Sequence, residues 1–373
     1  MHVGSFVLAA RFPGQGDGEA LHRAVRSAEV AEEAGLDTVW LAEHHFVPYG
    51  TCPSAITLAA LLLGRTERLR VGTAVSVLPT AHPVALGEQA ALLLGRTERL
   101  RVGTAVSVLP TAHPVALGEQ AALLHITSGG RFSLGVGRGG PWVDLEVFGS
   151  GLRAYEEGFP ESLDLLMRWL REPSVAAAGE RFGFREVPVV PRPSECLTDA
   201  EGPEVVVACT SPASVRLAAE RGLPMLLGMH VGDEEKAEMV ALWRQHARAA
   251  GRPAEEILGA AHVSAGVCQI ADRRTDAVET LTKAMPGWLR QGLEAHVTVD
   301  GRHRAMRDPL AYTELLCGLH PVGTPRLCAD RLAATSERTG ISRFALLVEG
   351  SGDLAATEEN VRRLGAEVLP HLG

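Results

Sequence analysis

Residues 60–90 read ALLLGRTERLRVGTAVSVLPTAHPVALGEQA, and residues 91–121 repeat these letters without one difference. The unit contains the end of an apolar helix, a valine-rich strand and a His-Pro pair that opens the next helix. Repeats that packing alone maintains diverge outside the positions that the core requires. Two identical neighbouring copies therefore indicate a recent tandem duplication of a helix–strand–helix passage.

The same alternation of strands and helices continues along the rest of the chain. With the duplicated strand counted once, the predicted strands are 3–10, 37–42, 70–78, 131–136, 205–208, 225–227, 262–270 and 344–348. Strands separated by helices are typical of a parallel sheet. They predict a single α/β domain over residues 1–373, a (β/α)8 TIM barrel with one extra duplicated βα unit. An open doubly wound sheet has the same periodicity, and 287–319 is predicted to be a loop.

Charge and composition exclude several classes of protein. The net charge is −9 and no basic stripe is present, which argues against a nucleic-acid partner. No apolar run reaches about 18 residues, and the first strand leads into Arg11 and Pro13 rather than a cleavage site, so neither a membrane span nor a signal peptide is expected. The cysteines are scattered and suit a reducing cytoplasm: Cys52, Cys196, Cys209, Cys268, Cys317 and Cys328.

Polar residues follow the second predicted strand as Glu43-His44-His45. In a barrel of this type the carboxyl ends of the strands hold the chemistry, and a histidine there can act as acid, base or anchor. Hydrated imidazoles at a polar strand end explain the same letters. A metal site is rejected, because adjacent histidines on a strand point to opposite faces and no second ligand pair is present.

Residues 135–140, GVGRGG, match the pattern G-x-G-x-x-G. The dinucleotide interpretation requires a helix to open at this point, and Pro141-Trp142 does not begin a convincing one. The pattern is better explained as a glycine-rich strand end that admits a flat ligand, with Arg138 placed to meet a phosphate. A glycine turn with a solvated arginine is the alternative.

Thr210, Ser211 and Ser214 follow a buried strand and precede or open a helix. Helix capping alone accounts for Thr210 or Ser211, with Pro212 in the first turn. The same geometry also offers a phosphate backbone N–H groups and hydroxyls. From these residues alone the two interpretations stay open.

Several motifs, in chain order, resemble the bacterial luciferase-like flavin-dependent monooxygenases, and the luciferase α-subunit type in particular. They span nearly the whole chain: 37–41 with 43–46, 71–75 with 78–84, 130–132, 138–139, 147–149, 321–325 and 339–342. The resemblance implies a barrel that binds reduced FMN (FMNH2) at its C-terminal face. It also implies reaction with O2 through a C4a-peroxyflavin that oxidises a small organic substrate.

The resemblance also implies roles for individual residues. His44 matches the family's catalytic histidine and His45 its structural neighbour. The matches in the cofactor site are Arg138 and Arg153 for the phosphate, and Thr210, Ser211 and Ser214 in the phosphate loop. Family members carry a non-prolyl cis peptide under the flavin. Ala74–Val75 and Ala105–Val106, one in each copy of the unit, match this position equally well. Gly137 stands where luciferase has a reactive cysteine, so that thiol chemistry is absent. Residues 287–319 are shorter than the mobile loop that shields the peroxyflavin in luciferase, so we expect no light emission.

The resemblance also bears on the source of the reduced flavin, on alternative functions and on the effect of the duplication. A separate reductase supplies the reduced flavin, because no nicotinamide motif is visible. A deazaflavin F420-dependent oxidoreductase of the same fold is the alternative, as is a flavin-binding protein inactivated by the duplication. We expect the barrel to extrude one copy of the unit, because long surface insertions cost little loop entropy. A ninth barrel strand, which would change radius and shear together, and a barrel that fails to close are the alternatives. The family's dimer packs helices that flank this strand, so a homodimer is expected to be weakened.

Overall fold

A computed structural model of the chain describes residues 1–44, 47, 49–73, 102–127, 129–130, 132–140, 142–147, 149–196, 202–294, 297–301 and 307–372. The strands are β1 (His2–Val7), β2 (Thr38–Leu41), β3 (Arg70–Thr73), β4 (Val102–Val108), β5 (Phe132–Gly137), β6 (Ser174–Ala178), β7 (Gly183–Pro188), β8 (Glu204–Cys209), β9 (Met225–Leu227), β10 (Val263–Val267), β11 (Gln269–Ile270), β12 (Val322–Gly323) and β13 (Arg343–Leu347). The helices are α1 (Asp17–Glu33), α2 (Ala55–Leu63), α3 (Pro114–Thr127), α4 (Asp144–Val147), α5 (Gly151–Arg171), α6 (Pro212–Glu220), α7 (Asp233–Ala249), α8 (Ala254–Gly259), α9 (Arg274–Glu294), α10 (Pro309–Leu319), α11 (Pro325–Thr339) and α12 (Leu354–Arg363).

The long strands close into one barrel, in the order β1-β13-β10-β9-β8-β5-β4-β3-β2. Each neighbouring pair is parallel, so all carboxyl ends meet at one edge. The predicted α/β barrel is confirmed, because an open doubly wound sheet would leave two free edges. Two short sheets, β11-β12 and the antiparallel hairpin β6-β7, lie outside the barrel.

Each copy of the repeated unit contributes a strand to this barrel. β3 comes from the first copy and pairs with β2, whereas β4 comes from the second copy and pairs with β5. The two meet at one register pair, Thr73 with Thr104. Our expectation that one whole copy is extruded is therefore wrong for the described strands. The helix that the extra βα unit should contain falls in 74–101, outside the described residues, so the complete unit stays a prediction.

Small residues bring the helix layer close to the sheet, as α1 illustrates. Glu19 caps its start: Glu19 Oε2 accepts the Gly16 N–H at 2.9 Å, which is the N3 half of a capping box. Gly35 ends the helix with a φ of +79°, a conformation that glycine adopts at little cost. The buried face carries Ala20, Ala24, Ala28 and Ala31, at helical spacing.

Two long helices contain a proline in their interior. α5 begins at Gly151 and runs through Pro160 to Arg171. Likewise α9 runs through Pro286 to Glu294, and α10 follows, so the prediction of a loop over 287–319 is wrong for most of that segment. None of the described helices has the length and apolar character that crossing a lipid bilayer requires.

Candidate active site

His44 lies directly beyond the carboxyl end of β2, and its neighbours constrain it closely. Its backbone N–H donates to the carbonyl of Cys52 at 2.9 Å. The imidazole meets the ring of Tyr49 edge-on, with centroids 5.3 Å apart. A Cβ added to Gly50 would lie 2.7 Å from His44 Nδ1, so only glycine leaves room for this ring position. His45, its predicted neighbour in the site, lies outside the described residues.

An aromatic stack supports His44 from the side of Tyr49. The rings of Tyr49 and Trp288 are nearly parallel, 4.4 Å apart, and Trp288 Nε1 donates to the carbonyl of Tyr49 at 2.9 Å. The ring of Phe12 also stacks on Trp288, with the ring centroids 5.5 Å apart. A Cβ on Gly292 would lie 2.2 Å from the Tyr49 ring, so α9 needs glycine there. Burial raises the pKa of the Tyr49 phenol well above its ordinary value.

The sequence analysis missed Glu349, which lies beyond the carboxyl end of β13. The side chain is fully buried, and its Oε2 accepts the N–H of Leu8 at 2.7 Å. Ala9, which follows β1's end with a φ of +49°, turns its N–H toward the same carboxyl. Arg23 Nε lies 3.9 Å from Oε1. A carboxyl group is thus held at the barrel's carboxyl edge. The position of Glu349, two residues after an apolar strand, was the feature of the sequence from which a site residue could have been predicted.

Glu43, next to His44, has a structural role. It is 5% exposed and its Oε2 accepts the backbone N–H of Ala55 at 3.0 Å, at the first residue of α2. A carboxylate at a helix N-terminus is favoured by the helix dipole. Burial also raises the pKa of the nearby Cys52 thiol to about 11, so this cysteine is uncharged at neutral pH.

Arg138 is exposed just beyond β5, as the glycine-rich strand end predicted. Its guanidinium lies over the ring of Tyr155 on α5, 4.5 Å from the centroid. Gly139 has a φ of +72°, and a Cβ there would lie 2.7 Å from Val108 at the end of β4. Within the described part of the chain Arg138 forms no ion pair, which leaves its charge available to an anionic ligand.

The hydroxyl cluster at the next strand end forms a capping box. Ser211 is the N-cap of α6 and accepts the N–H of Ser214, while Ser214 Oγ accepts the N–H groups of Thr210 and Ser211, both at 3.2 Å. Ser214 also donates its hydroxyl to the Ser211 carbonyl at 2.8 Å. The capping interpretation is therefore realised, and an incoming phosphate would have to take over some of these N–H groups.

Arg153 is placed differently from Arg138. Its side chain is 77% exposed and pairs with Glu157 at 3.0 Å and Glu180 at 3.4 Å. Tyr155, whose ring contacts the Arg138 guanidinium, lies two residues after Arg153 on α5. Residues two apart in a helix do not share a face. The geometry thus gives Arg153 no direct support as a phosphate ligand.

Of the two candidate positions for the cis peptide, only one lies among the described residues. Ala74 and Val75 lie outside the described residues. Ala105 and Val106 lie in β4, where the register with β5 shifts between Thr104 and Ser107. The cis peptide found among the described residues is Val190–Pro191, so the cis bond implied by the resemblance is not confirmed.

Strand order decides which of these residues are neighbours. β5 pairs with β8, so Arg138 and the Thr210–Ser214 cluster occupy adjacent strand ends. β3 and β4 lie between β5 and β2. His44 therefore lies at the same edge of the barrel as Arg138, with two strands between them. An exposed guanidinium and a helix N-terminus at neighbouring strand ends suit a phosphate-bearing ligand. Within the described residues no three His, Cys, Asp or Glu side chains gather as a metal ion requires.

Solved structures with the same fold bind two kinds of cofactor. The monooxygenase RslO1 from Streptomyces bottropensis superposes with a TM-score of 0.71 over 100% of both chains, at 22% identity. The oxygenating constituent of 3,6-diketocamphane monooxygenase from Pseudomonas putida, in complex with FMN, gives 0.65 at 18% identity, covering 99% of this chain and 98% of that one. An F420-dependent secondary alcohol dehydrogenase, with an F420–acetone adduct, also gives 0.65 at 15% identity, covering 100% and 99%.

Sequence comparison agrees with the structural one and is more specific. The alkanal monooxygenase alpha chain of Photorhabdus luminescens is 29% identical over 392 residues, covering 100% of this chain and 98% of the relative. The sequence model of the luciferase-like monooxygenase family matches residues 1–94 and again 90–343. The two matches meet where the second copy of the unit begins. On this match the chain belongs to the luciferase-like monooxygenase family, whose members are flavin-dependent enzymes.

Proposed function

We propose that the protein is an FMNH2-dependent monooxygenase that uses O2 to oxidise a small organic substrate. The observation that carries the proposal is Arg138, an exposed cation without an ion pair among the described residues, at the end of β5, next to the end of β8, from which α6 follows. Membership of the family and the relatives' names agree with this activity. The scattered free cysteines support a cytoplasmic location.

Each group at the edge has a proposed task. Arg138 holds the flavin phosphate, together with the backbone N–H groups of Thr210, Ser211 and Ser214. His44 accepts or holds a proton through its imidazole, with His45 as its structural neighbour. Ala74–Val75 or Ala105–Val106 provide the backbone under the flavin, and Arg153 is the least supported of the candidates. Reduced FMN, when bound, supplies the two electrons that activate O2.

The source of those electrons is proposed to be a separate flavin reductase. The glycines after β5 could have indicated a nicotinamide site, but Gly139 and Gly140 lead into a turn rather than directly into a helix. The described helix that follows, α4, begins four residues after Gly140 and is a single turn. A pyrophosphate site needs the helix to open at the glycines themselves.

The test is single-turnover oxidation with the full-length chain. The protein is mixed anaerobically with reduced FMN and then with air, and both oxygenated product and hydrogen peroxide are quantified for a panel of aldehydes, ketones and sulfonates. We expect at least one substrate to be oxygenated, with His44→Ala losing product and Arg138→Met losing bound flavin. Arg153→Met serves as the matched control. Reoxidation at the rate of free FMN, with peroxide as the sole product for every substrate, would overturn the proposal.

An F420-dependent oxidoreductase is the second candidate, since the F420 enzyme superposes as well as the FMN complex does. The two candidates differ in cofactor affinity and in the need for O2. Equilibrium binding of FMN and F420 to the same preparation separates them. Tight binding of F420 without binding of FMN would select a hydride transfer that needs no O2.

The duplication gives a third possibility, a flavin-binding protein that has lost activity. An additional strand adds about 4.8 Å to the barrel wall. Here that strand stands between His44 and Arg138, so the proton-handling group and the phosphate-binding group are moved apart. Leu61 on α2 and Leu123 on α3, which follows the second copy's strand, are 49% and 44% exposed. We propose that the complete extra βα unit weakens the homodimer on this side.

A further inference from the structure

The side chains that line the barrel axis are more exposed than those on the outside of the same strands. On β8, Val205, Val207 and Cys209 are buried in a cluster with residues of α6, whereas Val206 and Ala208 between them are partly exposed. Successive residues of a strand point to opposite faces, so Val206 and Ala208 point toward the axis. Their accessible surface shows that open space adjoins them inside the barrel.

The same alternation recurs on other strands of the described wall. Val39 on β2 and Met225 and Leu227 on β9 face the helix layer and are 0% exposed. The partly exposed residues on the axial side are Phe6 on β1, Trp40 on β2, Leu226 on β9, and Val263 and Ala265 on β10. The axis of a TIM barrel is normally filled by layers of bulky branched side chains. The interior of this barrel is therefore filled less completely.

The number of strands and the size of the axial side chains explain this space. The described wall closes with nine strands, and about eight give an interior just wide enough for side chains to fill. Gly4 lies beside Ala345, and Ala345 beside Ala265, on three neighbouring strands. None of these three carries more than a methyl group toward the axis. Gly72 on β3 and Gly135 on β5 are further small residues on the axial side.

Trp40, the largest of the partly exposed axial residues, lies along the wall. A Cβ added to Gly4 on β1 would lie 3.1 Å from its Nε1, and a Cβ added to Gly72 on β3 would lie 2.4 Å from its Cε3. β1 and β3 flank the strand of Trp40, and these two ring atoms lie on opposite sides of the indole. The indole thus occupies the space that side chains at both glycines would fill. Its exposed surface faces the barrel axis.

Different layers bound the axial space at its two ends. At the amino edge Arg343 Nη1 on β13 pairs with Glu204 Oε1 on β8 at 2.9 Å, across the two strands that separate them in the wall. Toward the carboxyl edge Val267 and Leu347 are buried in an apolar cluster with Leu281 of α9. Between these layers the described axial residues are apolar and uncharged. An uncharged, apolar molecule suits this space.

We propose that the axial space is a binding site for a small uncharged aromatic molecule, which lies against the indole of Trp40. Aromatic rings interact favourably with one another in stacked or edge-to-face arrangements, and an apolar cavity can bind a molecule such as benzene. Ala208, Ala265 and Ala345 leave room for the ring. The site uses neither His44 nor Arg138, so it is separate from the proposed flavin site.

Trp40 provides a direct signal for the test. The full-length protein, without flavin, is labelled with fluorotryptophan, and its five tryptophans are followed by fluorine NMR. The signal of Trp40 is assigned with Trp40→Phe. Toluene should shift this signal saturably, whereas benzoate, its charged analogue, should not. Trp243 is 0% exposed and donates from Nε1 to the Leu223 carbonyl in the helix layer, so its signal should stay unchanged.

A variant that fills the axial space completes the experiment. Ala265→Leu should raise the dissociation constant of toluene by about tenfold or more, because the larger side chain takes the place of the ligand. Ala249→Leu adds the same group at an exposed position of α7 and is the matched control.

Three results would overturn the proposal: no saturable shift of the Trp40 signal, an equal shift with benzoate, or unchanged toluene affinity in Ala265→Leu. If Ala265→Leu does not fold, the comparison of toluene with benzoate on the wild type still decides the question. Because no flavin is present, the outcome does not depend on the proposed monooxygenase activity.

Discussion

Arg23 Nε and Glu349 Oε1 lie 3.9 Å apart at the carboxyl edge of the barrel, and both side chains are almost completely buried. Burial raises the pKa of Glu349 to about 7, although Arg23 and the N–H groups of Leu8, Ala9 and Ala10 oppose the shift. The folded state therefore binds this proton more tightly than the unfolded chain, whose value is near 4.5. The stabilisation is complete below pH 4.5 and is lost as the pH rises through 7.

This relationship predicts a pH dependence that Glu349→Gln should remove. Between pH 4.5 and 7.5 the unfolding free energy of the wild type should fall by about 3 kcal/mol relative to the glutamine variant. Urea unfolding at several pH values measures the difference. Glu359→Gln, at an exposed position on α12, is the control. A constant difference between wild type and Glu349→Gln would contradict the raised pKa.

Gly50→Ala should impair the site without touching a charged group. The new Cβ would lie 2.7 Å from His44 Nδ1 and 2.9 Å from the Leu8 carbonyl, so the imidazole must move. A displacement of about 1 Å can lower turnover by about 100-fold. We expect product formation to fall while flavin binding is kept. Gly18→Ala, where a Cβ meets nothing within 4 Å, should behave as wild type, and equal activity of both variants would refute the constraint on His44.

Substitution of Arg138 and of Arg153 should have different effects on the affinity for FMN. Loss of a charge-assisted hydrogen bond costs about 1.5–3 kcal/mol, so Arg138→Met should raise the FMN dissociation constant about 10- to 100-fold. Arg153 already pairs with two glutamates at the surface, and Arg153→Met should change it by less than about twofold. Fluorescence titration with FMN measures both. A large effect at Arg153 would restore it as a phosphate ligand.

Ser211→Ala tests the capping box against the phosphate role. Loss of the N-cap should cost about 1 kcal/mol of stability. Thr324→Ala removes the equivalent cap of α11, where Thr324 Oγ1 accepts the N–H of Leu327 at 3.3 Å. Both variants should therefore be destabilised, but we expect weaker FMN binding in Ser211→Ala alone. Unchanged FMN affinity there would leave capping as the sole role of the serine.

Deletion of residues 91–121 should stabilise the protein. One continuous strand could then pair with both β2 and β5, in place of two strands that share one register pair. The melting temperature should rise by several degrees, at about 2–4 °C for each kcal/mol gained. Sedimentation velocity on the same pair of proteins measures the dimer, which we expect to tighten. A lower melting temperature would mean that the second copy stabilises the wall.

The sequence predicted local structure well where periodicity was undisturbed. β9 has the predicted bounds, and His44 and Arg138 lie at the strand ends where they were expected. The loop wrongly predicted over 287–319 begins directly after Pro286, which lies inside α9. A proline interrupts the helical pattern of the sequence, although the helix around it can persist when packing outweighs the lost hydrogen bond.

Glu349 shows what the sequence could not predict. A single glutamate after an apolar strand matches no motif, and its burial results from the end of β1, more than 300 residues away along the chain. The same holds for the stack of Tyr49 on Trp288, which joins the loop after β2 to α9. Such groups become visible only once closure of the barrel brings distant segments to one edge.

Thr73 and Thr104 are the same residue of the repeated unit, and they lie opposite each other in a parallel pair. Identical segments that stack in parallel with matching residues side by side form the geometry of cross-β fibrils. A fibril has no inherent limit to the number of identical strands that it can add, whereas a closed barrel does. This chain therefore places two identical strands next to each other in a barrel, where closure limits their number.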